Sequence, residues 1–476
     1  MSFASLQFPF FFAVCLLGWF FFPRKARIGW LLLSSCVFYM AFIPSYILIL
    51  FFLVGVDYTA GLLIEPAQGH RRKSLLWLSL IANLGILATF KYTNFALQNL
   101  DSVAQHFGMG ALAWRFPLVL PIGLSFHTFQ SMAYTIEVYF GRKTAERNLP
   151  RYALYVLFWP QMVAGPIERP QGLLAQLEQN RDATWHGAIS GLELMAWGFF
   201  KKLVIADRIA VAVDAAYADP FHTSGWQLAL GSVLFAFQIY GDFSGYTDIA
   251  RGAARIMGLE LCRNFDHPYA SRSPGEFWRR WHISLSSWFR DYVYIPIGGS
   301  RRGTTRLVLG LAAAFLLSGL WHGAAWTFVV WGGLHGLFVV VQRLTEPKLE
   351  KQAWWRKWTV SVPGRIAAVI ITFLLVDFAW IFFRAPDLGV AFHACNAYVA
   401  PGSWASLGQA LRDADLRLAL LLVVLLEALQ LAHRRGATAW LSGKPFWVRW
   451  IAIWILLLSI VALGKFGHEQ FLYFQF

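Results

Sequence analysis

Charged side chains are scarce in this sequence. They make up 14% of its 476 residues, against about 25% in an ordinary soluble domain, which excludes a water-facing globular surface over most of the chain. Cysteine is scarce too. The four, Cys15, Cys36, Cys262 and Cys395, form neither a CxxC nor a zinc-type spacing, so a dithiol redox motif and a zinc cluster have no footing. Three of them lie in or beside apolar spans, where a free cysteine usually acts as a small hydrophobe. Met1 to Gln7 carries no lysine or arginine, and no small-residue cleavage site follows the first apolar run. That run therefore reads as retained rather than as a signal peptide. A GxSxG elbow, a Walker loop and the close-spaced pairs HxxxH and HExxH are also missing. Serine-hydrolase, nucleotide-phosphate and metal-hydrolase readings thus lack their motifs. There is no internal repeat and no low-complexity linker, so residues 1–476 read as a single domain.

What is abundant is apolar. Hydrophobic residues make up 57% and aromatic residues 17%, with a mean hydropathy of +0.50. This is the composition of an all-α, polytopic membrane protein. The 23 Trp and 42 Phe suit interfacial belts and tight helix packing, and the 39 Gly suit close helix approach and broken helices. A net charge of +15 could suggest nucleic acid, but the basic residues fall in short clusters between apolar spans. Cytoplasmic loops beside anionic headgroups require that pattern, so the expected surface partner is a phospholipid membrane and not nucleic acid.

Apolar spans run near 8–22, 28–43, 45–64 and 74–97, and another opens at Pro117 and Pro121 and ends at Phe140. More lie near 187–217, 226–257, 305–342, 365–383, 416–432 and 447–464. With re-entrant and interfacial pieces the length rule gives about eleven to thirteen membrane segments. The loops at 23–27, 71–73, 142–151 and 343–358 are basic, which predicts that they are cytoplasmic and that the N-terminus lies outside. Residues 152–165, broken by Pro160 and Gly165, are too short to cross and read as re-entrant. Residues 98–116 and 384–414 read as loops. The periodicity of 276–292 predicts one amphipathic helix, with Phe277, Trp278, Trp281, Leu285, Trp288 and Tyr292 on its apolar face. Arg279, His282, Ser286 and Arg290 fall on the other.

Polar groups at membrane depth are where chemistry is sought. Glu193, Lys201, Lys202, Gln238, Asp242 and Asp248 all lie inside apolar spans. On a helix Gln238, Asp242 and Tyr246 share one face, and Ser244 and Asp248 another. Such a span either faces a cavity or forms a buried hydrogen-bond network that fixes helix positions. The expectation is that Gln238, Tyr240, Asp242 and Ser244 line a polar passage ending at His322. That histidine sits in Trp321-His322-Gly323, in the middle of the apolar stretch 305–342. It reads either as a site residue or as a structural histidine bonded to a neighbouring helix. His335 follows it by 13 residues, about 220° around one continuous helix, so the two are not expected to share a metal.

Five stretches carry a family resemblance. They are PIGLSFHTFQSMAY (121–134), PQMVAGPIERP (160–170), QIYGDFSGYTDIARG (238–252), FWRRWHISLSSWFRDYVYIPIGG (277–299) and GLWHGAAWTFVVWGGLHG (319–336), with FLYFQF (471–476) at the end. Through them the chain resembles the membrane-bound O-acyltransferase family, in its bacterial alginate O-acetyltransferase-like branch. His127 departs from the pattern, which has a tyrosine or similar aromatic there. The resemblance implies His322 as the catalytic histidine and His282 as the second histidine of the site. It implies Gln238, Tyr240, Asp242, Ser244, Tyr246, Trp278 and Trp321 around the substrates, and no metal. It also implies a multi-pass protein of the bacterial inner membrane with no permanently bound cofactor. The expected donor substrate is acetyl-CoA, reached from the cytoplasm. The expected acceptor is an exopolysaccharide of the alginate type, or a hydroxyl on a periplasmic acetyltransferase or other polysaccharide-modification partner. The rival readings are D-alanyl transfer, acyl transfer to peptidoglycan or cellulose, and a polysaccharide transporter without acyl transfer.

Overall fold

The computed structural model describes residues 1–109, 115–179, 182–436, 440, 443–466 and 471–472. Every regular element among them is helical. The chain divides into two compact units, Met1–Met195 with Thr247–Cys262, and Ala196–Tyr246 with Arg263–Phe476.

The first unit carries α1 (Phe8–Phe21), α2 (Arg24–Met40), α3 (Ile47–Ile64), α4 (Gly69–His106), α5 (Leu124–Tyr139), α6 (Leu149–Leu157) and α7 (Ala175–Gln179). Most of α8 (Trp185–Phe199) follows. Two buried polar features fix its packing. Asp57 on α3 accepts hydrogen bonds from Ser79 Oγ at 2.6 Å and from Asn83 Nδ2 at 2.9 Å, tying α3 to α4. Trp159 lies among Phe3, Phe8, Phe11, Phe12 and Phe38, and its backbone N–H donates to Ser35 Oγ. The nine residues of α6 are too few to cross about 30 Å of hydrocarbon. Residues 152–164 that form α6 and the turn after it are buried in protein, as non-helical backbone at membrane depth requires. The loop expected at 98–116 is shorter than its composition suggested, because α4 continues to His106.

The second unit holds α9 (Asp207–Ala218) and the first two-thirds of α10 (Gly225–Ile256). It continues with α11 (Pro274–Arg280), α12 (Ile283–Phe289), the short α13 (Ile295–Ile297), α14 (Thr304–His322) and α15 (Trp326–Leu349). Then come α16 (Ala353–Val360), α17 (Val362–Arg384), α18 (Leu388–Val399), α19 (Trp404–Ala410), α20 (Ala414–Arg434) and α21 (Phe446–Leu463). Six helices of the described chain are long and apolar enough to span a membrane: α3 with the turn before it, α4, α14, α15, α17 and α20. Phe8–Phe21, Leu388–Val399 and Trp447–Leu463 are shorter apolar helices.

Three expectations are corrected here. The stretch 305–342 is a hairpin of two helices, turning through Gly323, Ala324 and Ala325. Gly319 and Gly332 make the hairpin tight, since a Cβ on Gly319 would run into the Phe328 carbonyl and one on Gly332 into the Phe315 carbonyl. Residues 276–292 are two helices and not one. Trp281 is extended and His282 takes a left-handed φ of 42° between them. The break is held by Asn264, whose backbone carbonyl accepts from Ile283 N and whose side-chain oxygen accepts from Ser284 N. The first amides of α12 are thereby capped from outside and the helix restarts. Finally, 384–414 contains α18 and α19, each capped by a side chain: Asp387 accepts from Val390 N and Ser403 from Ser406 N.

Candidate active site

His322 is the last residue of α14, and 4% of it is exposed. It sits there because the hairpin turn begins at the next residue. Its ring is enclosed by aromatics: Trp321 and Trp331 lie edge-on at 4.9 Å between centroids, and Phe383 of α17 at 5.4 Å. Such walls exclude water from the ring. The hairpin also brings His335 to the other side of Trp331, at 5.0 Å. The phase argument for one continuous helix therefore does not apply to His322 and His335. Trp278 Nε1–H donates to His335 Nδ1 at 3.3 Å, so that nitrogen is the acceptor and Nε2 carries the proton.

His282 is wholly buried, although periodicity had put it on a polar face. Its left-handed backbone is uncommon for a side chain of this size, and such outliers cluster at functional sites. The conformation turns the ring into the unit, where Phe243 of α10 meets it edge-on at 4.7 Å. Trp321 lies at 6.2 Å and His322 at 6.5 Å. Thus the two histidines and Trp321 share one site.

The polar residues of α10 are engaged as follows. Asp242 accepts from Lys202 Nζ at 2.6 Å, and its other oxygen accepts from the Leu472 backbone N–H at 2.9 Å. Lys202 also meets Asp207 at 2.7 Å. Lys201 Nζ donates to Ser244 Oγ at 2.9 Å. Both lysines lie in a π-helical segment, Phe200–Ala206, that continues α8 into α9. Gly241 and Gly245 let α10 approach that segment closely, and a Cβ on Gly245 would stand 3.1 Å from Lys202 N. Tyr240 donates to Gln430 of α20 at 3.1 Å, and Tyr246 packs edge-on against Phe471 at 4.7 Å. Gln238 is buried. Its Oε1 has no hydrogen-bond partner among the described residues.

Space for a ligand lies along α14 instead. A cavity of about 470 Å³ is lined by Trp278, Ser286 and Ser318, with Arg279, Arg290 and Arg343 also on its wall. Ser318 is one helical turn before His322. The volume is that of a typical small-molecule site. None of the α10 residues Gln238, Tyr240, Asp242 and Ser244 lines it. In the first unit, the departure at His127 is absorbed by a bond between its Nδ1 and the Val156 carbonyl at 2.9 Å. Sequence reasoning missed Asn264 and the wholly buried Asp377 of α17. Asp377 carried a findable signal, a carboxylate inside an apolar span. Asn264 lies in a loop and carried none.

The model of the membrane-bound O-acyltransferase family matches residues 73–376. The chain is 37% identical to an alginate O-acetylase of Pseudomonas aeruginosa over 85% of this chain and 76% of that protein. It is 35% identical to an alginate O-acetylase of Pseudomonas putida over the whole of both. It is also 35% identical to a peptidoglycan O-acetyltransferase of Helicobacter pylori, over 78% of this chain and 73% of that protein. The chain belongs to the membrane-bound O-acyltransferase family. It is a multi-pass membrane O-acyltransferase.

Proposed function

We propose that this enzyme moves an acetyl group from acetyl-CoA, entering from the cytoplasmic side of a bacterial inner membrane, to a hydroxyl at the outer face. The acceptor is an exopolysaccharide of the alginate type, or a periplasmic partner protein that passes the acetyl group to it. The relatives named for alginate and peptidoglycan O-acetylation support an acetyl group and a glycan acceptor. The observation that carries the reading is the meeting of His282 and His322 beside a cavity that reaches to one turn from His322.

The chemistry follows from the donor. A thioester is already activated, so the demand on the protein is to make the acceptor hydroxyl nucleophilic. A neutral imidazole removes that proton as the oxygen attacks the acetyl carbonyl. The tetrahedral adduct then collapses, the carbon–sulfur bond breaks and the departing thiolate takes up the proton. His322 is placed for this by the hairpin end, with His282 as its neighbour. Arg279, Arg290 and Arg343 on the cavity wall suit the phosphate groups of coenzyme A. Arg301, Arg302 and Arg306 before and within the start of α14, with Arg343 and Lys348 near the end of α15, make the hairpin ends opposite His322 basic. The positive-inside rule puts those ends in the cytoplasm.

The test is purified enzyme with acetyl-CoA labelled in the acetyl group and a soluble polysaccharide, together with membranes from cells that make the polymer. Label on the polymer and release of coenzyme A, both lost in His322→Gln, are expected. Acetylation in cells that does not depend on His322, or the absence of any acetyl-CoA consumption in both preparations, would overturn the reading.

A further inference from the structure

We propose that Asn264 is a positioning residue for the reaction: its side-chain oxygen holds His282 in the Nδ1–H tautomer and so makes Nε2 the basic nitrogen of that ring. The inference rests on His282 belonging to the site, as argued above.

The orientation of the Asn264 amide is fixed by a group that cannot change role. The backbone N–H of Ser284 can only donate, and it points at Oδ1 from 3.1 Å. Ser284 Oγ lies 2.9 Å from the same oxygen. Turning the amide over would set its NH₂ against the Ser284 N–H, donor to donor, in a buried site. Oδ1 is therefore an acceptor, and the nitrogen of His282 that meets it at 3.2 Å must be the donor. That nitrogen is Nδ1. A neutral imidazole has one proton, so Nε2 bears the lone pair.

The backbone explains how the contact is kept. The Asn264 carbonyl accepts from Ile283 N and its side chain from Ser284 N, so one residue holds the amides on the C-terminal side of His282. The left-handed backbone of His282 is retained by those two bonds and in turn presents Nδ1 to Oδ1. The opposite arrangement occurs at His335, where Trp278 donates to Nδ1 and Nε2 must carry the proton. His282 and His335 are thus set in opposite tautomers, and of these two rings His282 is the one with a basic Nε2. Around the His282 ring stand Phe243 from α10, Trp321 and His322 from α14, and Asn264. His322 is the titratable member of that set.

The direct test is on wild-type enzyme in lipid bilayers. Histidine is labelled with ¹⁵N, solid-state NMR spectra are recorded, and the spectrum of His282→Gln is subtracted to assign the ring. Protonated Nδ1 and unprotonated Nε2 are expected, and the reverse tautomer would overturn the proposal. Two variants extend it, each read per molecule of folded enzyme. Asn264→Leu should lose activity at least about tenfold, since partners that orient a reacting imidazole are worth about 10–100-fold. Asn264→Asp keeps the acceptor, so it should stay active. The added negative charge should move the acid limb of its pH–rate profile upward. A purely structural Asn264 would change the amount of folded protein and leave that limb in place, and an unmoved limb in an active Asn264→Asp enzyme would refute the assignment. If His282→Ala itself retained full activity, the fault would lie with the role of His282 rather than with its tautomer.

Discussion

The rings of His282 and His322 stand 6.5 Å apart with their planes at 61°, and Trp321 lies beside both. The first ring comes from a break between two short helices and the second from the end of a hairpin arm. Neither is held by its own helix alone. The pair therefore reports on two separate pieces of packing, and substitutions can act on the chemistry or on either support.

At His322 the chemistry is isolated by two substitutions. His322→Ala and His322→Gln should each lower acetyl transfer by about 10²–10⁴, the usual worth of a general base. Both should leave protein levels in the membrane near wild type. Glutamine can hydrogen-bond but cannot take the proton. Polymer acetylation normalised to membrane protein is the measurement, and full activity in His322→Gln would make the residue structural.

The hairpin is tested at its glycines. Gly332→Ala puts a methyl group against the Phe315 carbonyl and 3.2 Å from the Gly319 Cα, so the two arms must part. Overpacking of this kind costs about 1–3 kcal/mol, and activity should fall as His322 is displaced. Gly333→Ala is the control, because its nearest neighbour is Leu316 Cδ2 at 3.8 Å. Thermal unfolding in detergent should be lowered by the first and unchanged by the second.

Lys202 lies between Asp207 and Asp242, with all three side chains almost wholly buried. Lys202→Met leaves two carboxylates without their cation, and breaking a buried pair in this way costs about 3–5 kcal/mol. Little folded protein is expected. The triple change Lys202→Met, Asp207→Asn, Asp242→Asn removes the stranded charge and should recover part of the loss. Folded yield by size-exclusion chromatography checks both, and a fully stable Lys202→Met would show that the cluster contributes little.

The cavity arginines should govern donor affinity. A charge-assisted hydrogen bond contributes about 1.5–3 kcal/mol, so Arg279→Ala or Arg343→Ala should raise KM for acetyl-CoA about tenfold or more. Their kcat should change little. Steady-state kinetics with varied acetyl-CoA decide it, and an unchanged KM in both would move the donor site elsewhere.

Much of this was legible in the sequence. The spans at α3, α4, α17 and α20 were, because hydropathy reports burial in lipid directly, and the burial of the His322 ring in an apolar stretch was conspicuous too. The turn after it was not, since Gly323-Ala324-Ala325 is as apolar as the arms it joins. The break at His282 was hidden for a different reason. Phe277, Trp278, Trp281, Leu285 and Trp288 are all buried as helical spacing predicted, yet periodicity cannot register one residue turning left-handed between two helices in phase. Asp387 and Ser403 offered capping signals inside 384–414 that a composition-based reading passed over. The partners of Asp242, Leu472 at one oxygen and Lys202 at the other, lie 230 and 40 residues away, and a single sequence carries no trace of such pairings.

Phe471 and Leu472 reach back to this cluster: Leu472 N–H donates to Asp242, and the Phe471 ring lies 4.6 Å from the Lys202 ammonium. In synthesis these residues leave the ribosome after every helix of the cluster has entered the bilayer. Until then one oxygen of Asp242 lacks the amide it holds in the finished protein. The Leu472 amide and the Phe471 ring thus join this cluster only after its helices have been made. Chains cut short before them would keep the Lys202 bond to Asp242 but leave the second oxygen without the Leu472 amide.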